Sequence, residues 1–194
     1  MPMPAQKRHR SKQDYGTPRE LIAAIEQRFG TLTFDVAASV GNAVVPRYFS
    51  ENEGGPHPSA FEADWSLLFT PRDLLFLNPP FGGIGQWWAP LVTYWTRRLP
   101  WLRLLMLTPA SIGSEWYQQH VSRQAMVLGL SPRLTFVGTN DPYPKDCMLS
   151  GFGFGVVGVD VWRWDGTAPG RLKADHPGRP EDAPKRARKR PKAA

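Results

Sequence analysis

Leu74-Leu75-Phe76-Leu77 is a run of four apolar residues that stops at Asn78-Pro79-Pro80-Phe81, with Gly82 and Gly83 next. The run reads as a short, fully apolar strand. Ending it this way puts Asn78 at the carboxyl edge of a sheet, where open α/β folds bind their ligands. The two prolines fix φ and remove two backbone donors, leaving carbonyls that face outward as acceptors. Asn78 then stands beside fixed carbonyls, with Phe81 available as a stacking plate. That set suits gripping a planar amino group, such as the exocyclic nitrogen of a base, and activating it. Asn-Pro is also a common turn dipeptide, so the same residues read as a strand leaving the core through a proline turn.

The neighbouring segments supply the rest of an α/β pattern. Leu21, Ile22, Ile25 and Phe29 share one face of a predicted helix, with Thr17 placed to cap it, Pro18 at its first position and Gly30 to end it. Thr31 to Val36 predicts a strand, followed by the small residues of 37–43 and a long polar loop over 46–58. Gln86 to Arg98 predicts a helix with Pro90 in its first turn, and Leu102 to Leu107 a second buried strand ending at Thr108-Pro109-Ala110. Beyond it, Glu115 to Arg123 predicts a helix, 127–130 and 133–136 short strands, and Gly153 to Val159 a strand whose glycines allow close backbone packing. Strands alternating with helices indicate an α/β doubly wound sheet. Three of the strands end in small or proline-containing turns, at Asp35-Val36, Asn78-Pro79 and Thr108-Pro109. Neighbouring ends of this sort line a single crevice.

Length and composition narrow the class. A chain of 194 residues with 41% hydrophobic content is one domain with room for a real core, here placed at 14–165. A single cysteine, Cys147, excludes an intramolecular disulfide, and no Cys/His spacing suits structural zinc. No apolar stretch is long enough to span a bilayer, and the charged N-terminus is not a secretory signal, so a soluble cytoplasmic protein is expected. The net charge of +7 belongs to the ends. Residues 1–13 hold four Lys/Arg and no acid, and 171–194 hold nine against three acids, while the stretch between has eleven against fourteen. Arms at 1–13 and 166–194, rich in Pro, Ala, Lys and Arg, are expected to be disordered and to neutralise phosphates without reading sequence. A solvated tail that only keeps the protein soluble is the alternative. Ser114, Cys147, His57 and His120 lack a partner motif, and Trp87, Trp88, Trp95 and Trp101 are expected to pack rather than to stack bases.

With these residues in hand, the chain resembles the phage-type DNA N6-adenine methyltransferases, relatives of the Dam enzymes. The matching pieces, in order, are Tyr15-Gly16-Thr17-Pro18; Phe34-Asp35-Val36-Ala37-Ala38-Ser39 with Asn42-Ala43; Asp64-Trp65; Asn78-Pro79-Pro80-Phe81; Thr108-Pro109-Ala110 with Trp116; and Pro132-Arg133-Leu134-Thr135-Phe136. Together they run from about Tyr15 to about Val159, and the ordered set is more specific than any member. The resemblance implies a Rossmann-like sheet, S-adenosylmethionine as methyl donor, adenine in double-stranded DNA as acceptor, and a bacterial host. It implies that Asn78, Pro79, Pro80 and Phe81 form the catalytic loop. It also implies that Thr17, Pro18, Asp35, Ala37 and Ser39 contact the cofactor, with Asp64 near its adenosine. One departure stands out: the turn after the first strand has no glycine before Gly41, and the acid for the cofactor ribose is best sought at Glu51.

The chemistry that follows needs no strong base. Hydrogen bonds from the two N6 protons of adenine to the Asn78 side-chain oxygen and the Pro79 carbonyl draw the amine towards tetrahedral geometry. Such bonds strengthen as positive charge develops on nitrogen. A stacked base cannot present N6, so the adenine is expected to be flipped out against Phe81. Two other readings share the sequence: methylation of a protein glutamine amide by the same loop, and a non-catalytic DNA-binding protein with a degenerate fold. Cytosine N4 is a third possible acceptor. Target specificity is expected from the loop at 51–59 and the segment 138–150, which includes Asn140, Tyr143 and Lys145.

Overall fold

In the computed structural model, which describes residues 16–50, 57 and 59–167, the apolar runs form the centre of one sheet. Its strands are β1 (Phe34–Asp35), β2 (Leu74–Leu77), β3 (Arg103–Pro109), β4 (Met126–Ser131), β5 (Cys147–Phe152) and β6 (Gly158–Arg163). They lie in the order β1-β2-β3-β5-β4-β6. β1, β2 and β3 run parallel, as do β4 and β6, and β5 runs antiparallel to both of its neighbours. The fold is therefore mixed α/β with a mostly parallel sheet. Parallel strands need cover on both faces, and all four residues of β2 are buried.

Helix α1 (Arg19–Phe29) covers one face, burying Leu21 and Ile25 among Leu74, Phe76, Leu105 and Leu107. Glu20 in its first turn and Arg28 in its last complement the helix dipole. The opposite face receives α2 (Trp65–Leu68), α3 (Ala89–Arg98) and α4 (Glu115–His120). There Trp65, Val92, Trp95 and Tyr117 meet Leu75, Leu77, Leu104 and Met106. Trp65 lies parallel to Trp95 at 5.7 Å and donates its indole N–H to the Ala60 carbonyl at 3.0 Å, so its one polar atom is satisfied in the core. Ser114 caps α4 by accepting the Tyr117 N–H. Ser114→Ala is expected to lower stability by about 1 kcal/mol, read as a shifted urea midpoint at unchanged slope.

Several elements depart from the sequence pattern. The strand expected over 31–36 narrows to β1, although Thr33 and Val36 still donate to the Leu74 and Phe76 carbonyls at 2.9 and 2.8 Å. The helix expected from Gln86 begins instead as one turn of π-helix, Ile84–Trp88, and becomes α-helical at Ala89. α4 stops at His120, followed by Arg123 at φ 61°. Segment 133–136 forms no strand; only Val137 makes an isolated bridge, to Gly16. The largest departure is at the carboxyl end. Gly153 to Val159 is not one strand: a turn at 153–157 separates β5 from β6. Gly153 sits at φ 77°, and a Cβ there would collide with the Leu102 carbonyl, so close approach does explain this glycine, but in a turn. The basic arm 1–13 and all of the expected 166–194 tail beyond Thr167 lie outside the described residues.

Candidate active site

The parallel register of β1, β2 and β3 brings their carboxyl ends to one edge. Asp35 pairs with Phe76, and Leu77 with Met106. Extending both ladders sets Ala37 level with Asn78, and Thr108 level with Pro79. The three strand ends that the sequence singled out are thus neighbours.

Asn78 is half-buried and Pro79 buried. The Asn78 amide nitrogen donates to Thr17 Oγ1 at 3.1 Å, across 61 residues of chain. Thr17 therefore serves the loop rather than the helix: the cap position of α1 is Pro18, with no side-chain cap bond. The proline carbonyls also differ from the simple expectation. That of Pro80 does not face outward as an acceptor but takes the Gly83 N–H at 3.1 Å, closing the short 3-10 turn Phe81–Gly83. The π turn follows directly, and irregular turns of this kind recur beside functional sites. Gly85 within it lies against Trp116, whose Cβ would stand 3.1 Å from any added Cβ.

Phe81 is half-buried and packs edge-on against Phe136 and Tyr143, at 6.0 and 5.7 Å between ring centres. Those two rings meet each other at 5.5 Å. Segment 134–137 thus holds the loop from two sides: the Phe136 ring touches Phe81, and the Val137 N–H donates to the Gly16 carbonyl at 2.9 Å. The 132–136 motif marked this segment in the sequence, but nothing local marked Tyr143 as a neighbour of Phe81. The segment offered for target recognition also contracts. Cys147 to Ser150 are buried in β5, which leaves 138–146 at the surface, with Asn140 and Lys145 exposed and Arg133 paired to Asp146 at 2.7 Å. Burial, and then Asp146, push the Cys147 thiol up to about 12.

Asp35 replaces the missing glycines as the organiser of the turn after β1. Its carboxylate accepts the Ala37 N–H at 3.3 Å and the Val44 N–H at 3.1 Å, so one side chain ties both ends of the turn. Within the turn, Asn42 Oδ1 accepts the Ser39 N–H at 2.6 Å. Asp35 is only 3% exposed. Burial raises its pKa from 3.8 to about 6, against the opposing pull of the Val44 and Ala37 hydrogen bonds. A buried acid at a strand end is expensive to ionise alone and suits a cationic group brought by a ligand. Asp64 is of another kind. It is exposed, caps α2 through the Ser66 N–H and hydroxyl, and is held below the usual carboxylate range by those two bonds. Glu51 and Tyr15 lie outside the described residues.

Among the described residues no helix is long and apolar enough to cross a membrane, and no three His, Cys, Asp or Glu side chains cluster as metal ligands would. No curated protein sequence matches the chain. A family model does: the one described as DNA N-6-adenine-methyltransferase (Dam) matches residues 5–148. That span covers every site element described above, from Thr17 to Phe136 and Tyr143. The chain belongs to the DNA N-6-adenine-methyltransferase (Dam) family, and the family implies a DNA adenine methyltransferase.

Proposed function

We propose that this protein transfers a methyl group from S-adenosylmethionine to the N6 amino group of adenine in double-stranded DNA, with Asn78-Pro79-Pro80-Phe81 as the catalytic loop. The observation that carries the reading is Asn78 at the carboxyl edge of β2, its amide oriented by Thr17 and an aromatic residue three positions on. When bound, S-adenosylmethionine supplies an electrophilic methyl on its sulfonium. The turn after β1 suits it: Asp35 offers a buried carboxylate to an ammonium, and Ala37 and Ser39 are small enough for close approach. Thr17 and Pro18 lie at the same edge, and Asp64 is assigned to the adenosine end on family grounds. The sheet then serves as the Rossmann-like, doubly wound platform of such enzymes.

Asn78 accepts a hydrogen bond from one N6–H through its side-chain oxygen, and the Pro79 carbonyl accepts one from the other N6–H. Both bonds strengthen as nitrogen becomes positive, which stabilises the transition state more than the ground state. The methylated nitrogen is positive and gives up one proton to water only after transfer, so an amide is sufficient where no base must act first. Phe81 stacks on the extruded adenine, and the exposed 138–146 segment beside it, with the basic arms, meets the duplex. Phe81→Ala is expected to lower kcat/KM for DNA about 10–100-fold, the equivalent of one stacked base, while Phe81→Tyr retains most of it. The reading is tested by supplying labelled S-adenosylmethionine with duplex DNA and a protein extract. Label in DNA supports it; label confined to polypeptide, the expectation for glutamine methylation, contradicts it.

A further inference from the structure

We infer that Thr17 is a positioning residue for catalysis: its hydroxyl holds the Asn78 amide in the one orientation that offers Oδ1 to the target amine. The inference rests on the proposed role of Asn78 and adds a residue to it. A primary amide has one acceptor end and one donor end, and only the acceptor end can grip an N–H. A half-turn about the last side-chain bond exchanges them at little steric cost, and an amide so turned would present two N–H groups to an amino group. Something must therefore decide which end faces the base. In the structure Thr17 Oγ1 is the acceptor of the Nδ2 hydrogen at 3.1 Å, which holds the donor end towards Thr17 and turns Oδ1 away from it.

The hydroxyl can do this because it is itself held. Thr17 is 7% exposed. On one side Gly16 is bridged to Val137, whose Cβ would stand 3.1 Å from any Cβ added to Gly16. On the other side, Pro18 leads directly into α1, its carbonyl accepting the Ile22 N–H at 3.2 Å. A rigid acceptor restrains the amide before the base arrives, so orientation costs nothing at the moment of reaction. A cap for α1 does not explain this hydroxyl, because it accepts from the Asn78 amide and the cap position of α1, Pro18, carries no side-chain cap bond. A contact to the cofactor predicts a different set of losses.

The test compares Thr17→Val, an isostere without the acceptor, with Thr17→Ser, which keeps it. Three quantities are measured: the single-turnover rate of methyl transfer into unmethylated duplex DNA, the Kd for S-adenosylhomocysteine by calorimetry, and the NMR signals of the Asn78 side-chain NH2, assigned by their loss in Asn78→Ala. Thr17→Val is expected to slow transfer 10–100-fold with Kd within threefold. Thr17→Ser is expected to restore the rate to within threefold. In an Asn78→Ala background Thr17→Val is expected to add nothing. The NH2 signals are expected to move in Thr17→Val and return in Thr17→Ser. Weakened S-adenosylhomocysteine binding at an unchanged rate would make Thr17 a cofactor contact and overturn the proposal. So would NH2 signals that do not move. The NMR arm needs no DNA and separates the two failures: a wild type that methylates no DNA overturns the functional reading and the catalytic role of Thr17 with it, whereas unmoved NH2 signals in a protein that does methylate DNA overturn this inference alone.

Discussion

Asn78→Ala is expected to reduce the rate of methyl transfer by about 10³-fold while leaving the affinity for S-adenosylhomocysteine within a factor of three. The first figure follows from what the amide does. It is a preorganised polar group aimed at charge that appears only in the transition state, and deleting one such group costs about 10²–10³ in kcat. Asn78 is held by Thr17 through its amide nitrogen, so truncation also removes the group that this bond serves to orient. The second figure follows from placement. The turn that is offered to the cofactor is closed by Asp35 and Asn42, through their bonds to the Ala37, Val44 and Ser39 amides. Asn78→Asp is a sharper probe than alanine. A carboxylate offers an acceptor at both ends and can itself accept from the Thr17 hydroxyl, so it keeps the grip on the amine while removing the need to choose an end. Single-turnover rates with saturating cofactor measure both variants.

Asp35 should make both stability and cofactor binding depend on pH, in opposite senses. Its folded pKa of about 6 lies above the ordinary 3.8, so the native state binds the proton more tightly than the unfolded chain does. The stability associated with it is therefore fully present below pH 3.8 and is lost as pH rises through 6. The full loss corresponds to about 3 kcal/mol, most of it between pH 4 and 6. Urea titrations from pH 4 to 7 should show the wild type weakening relative to Asp35→Asn, which keeps an oxygen for one of the two turn amides. A cationic ligand reverses the demand. If Asp35 receives the ammonium of S-adenosylmethionine, affinity rises with pH and levels off above about 6, falling about tenfold per unit below it. Asp35→Asn should be weaker throughout and flat. A wild-type affinity that is flat from pH 5 to 7 would remove Asp35 from the cofactor site and leave it as the organiser of the turn.

What the sequence discloses here follows from how local each signal is. β2 and its proline stop are legible because four consecutive apolar residues, buried on both faces, and two prolines act within a few positions of one another. The shared edge is legible as three strand ends, since each of β1, β2 and β3 carries its own terminating residues. β5 is not, because Cys147 to Phe152 mixes a thiol, a hydroxyl and a glycine in a strand buried at every position, which gives neither alternation nor an apolar run. The glycines at 153 and 155 mislead for a related reason: they mark a turn at positive φ, and the residues after them are β-branched. The site's supports are the least legible part. The Thr17–Asn78 bond and the Phe81–Phe136–Tyr143 cluster join segments far apart in the chain, and no spacing encodes such meetings. The Asp35 carboxylate shows how a turn without the customary glycines is closed, which composition alone does not disclose.

The central claim is that Asn78 grips an adenine amine. Incubating the purified protein with methyl-labelled S-adenosylmethionine and unmethylated duplex DNA, then digesting to nucleosides for mass spectrometry, tests it most directly. The account predicts N6-methyladenine in the wild type and its loss in Asn78→Ala. N4-methylcytosine in its place, or N6-methyladenine that persists undiminished in Asn78→Ala, would contradict it.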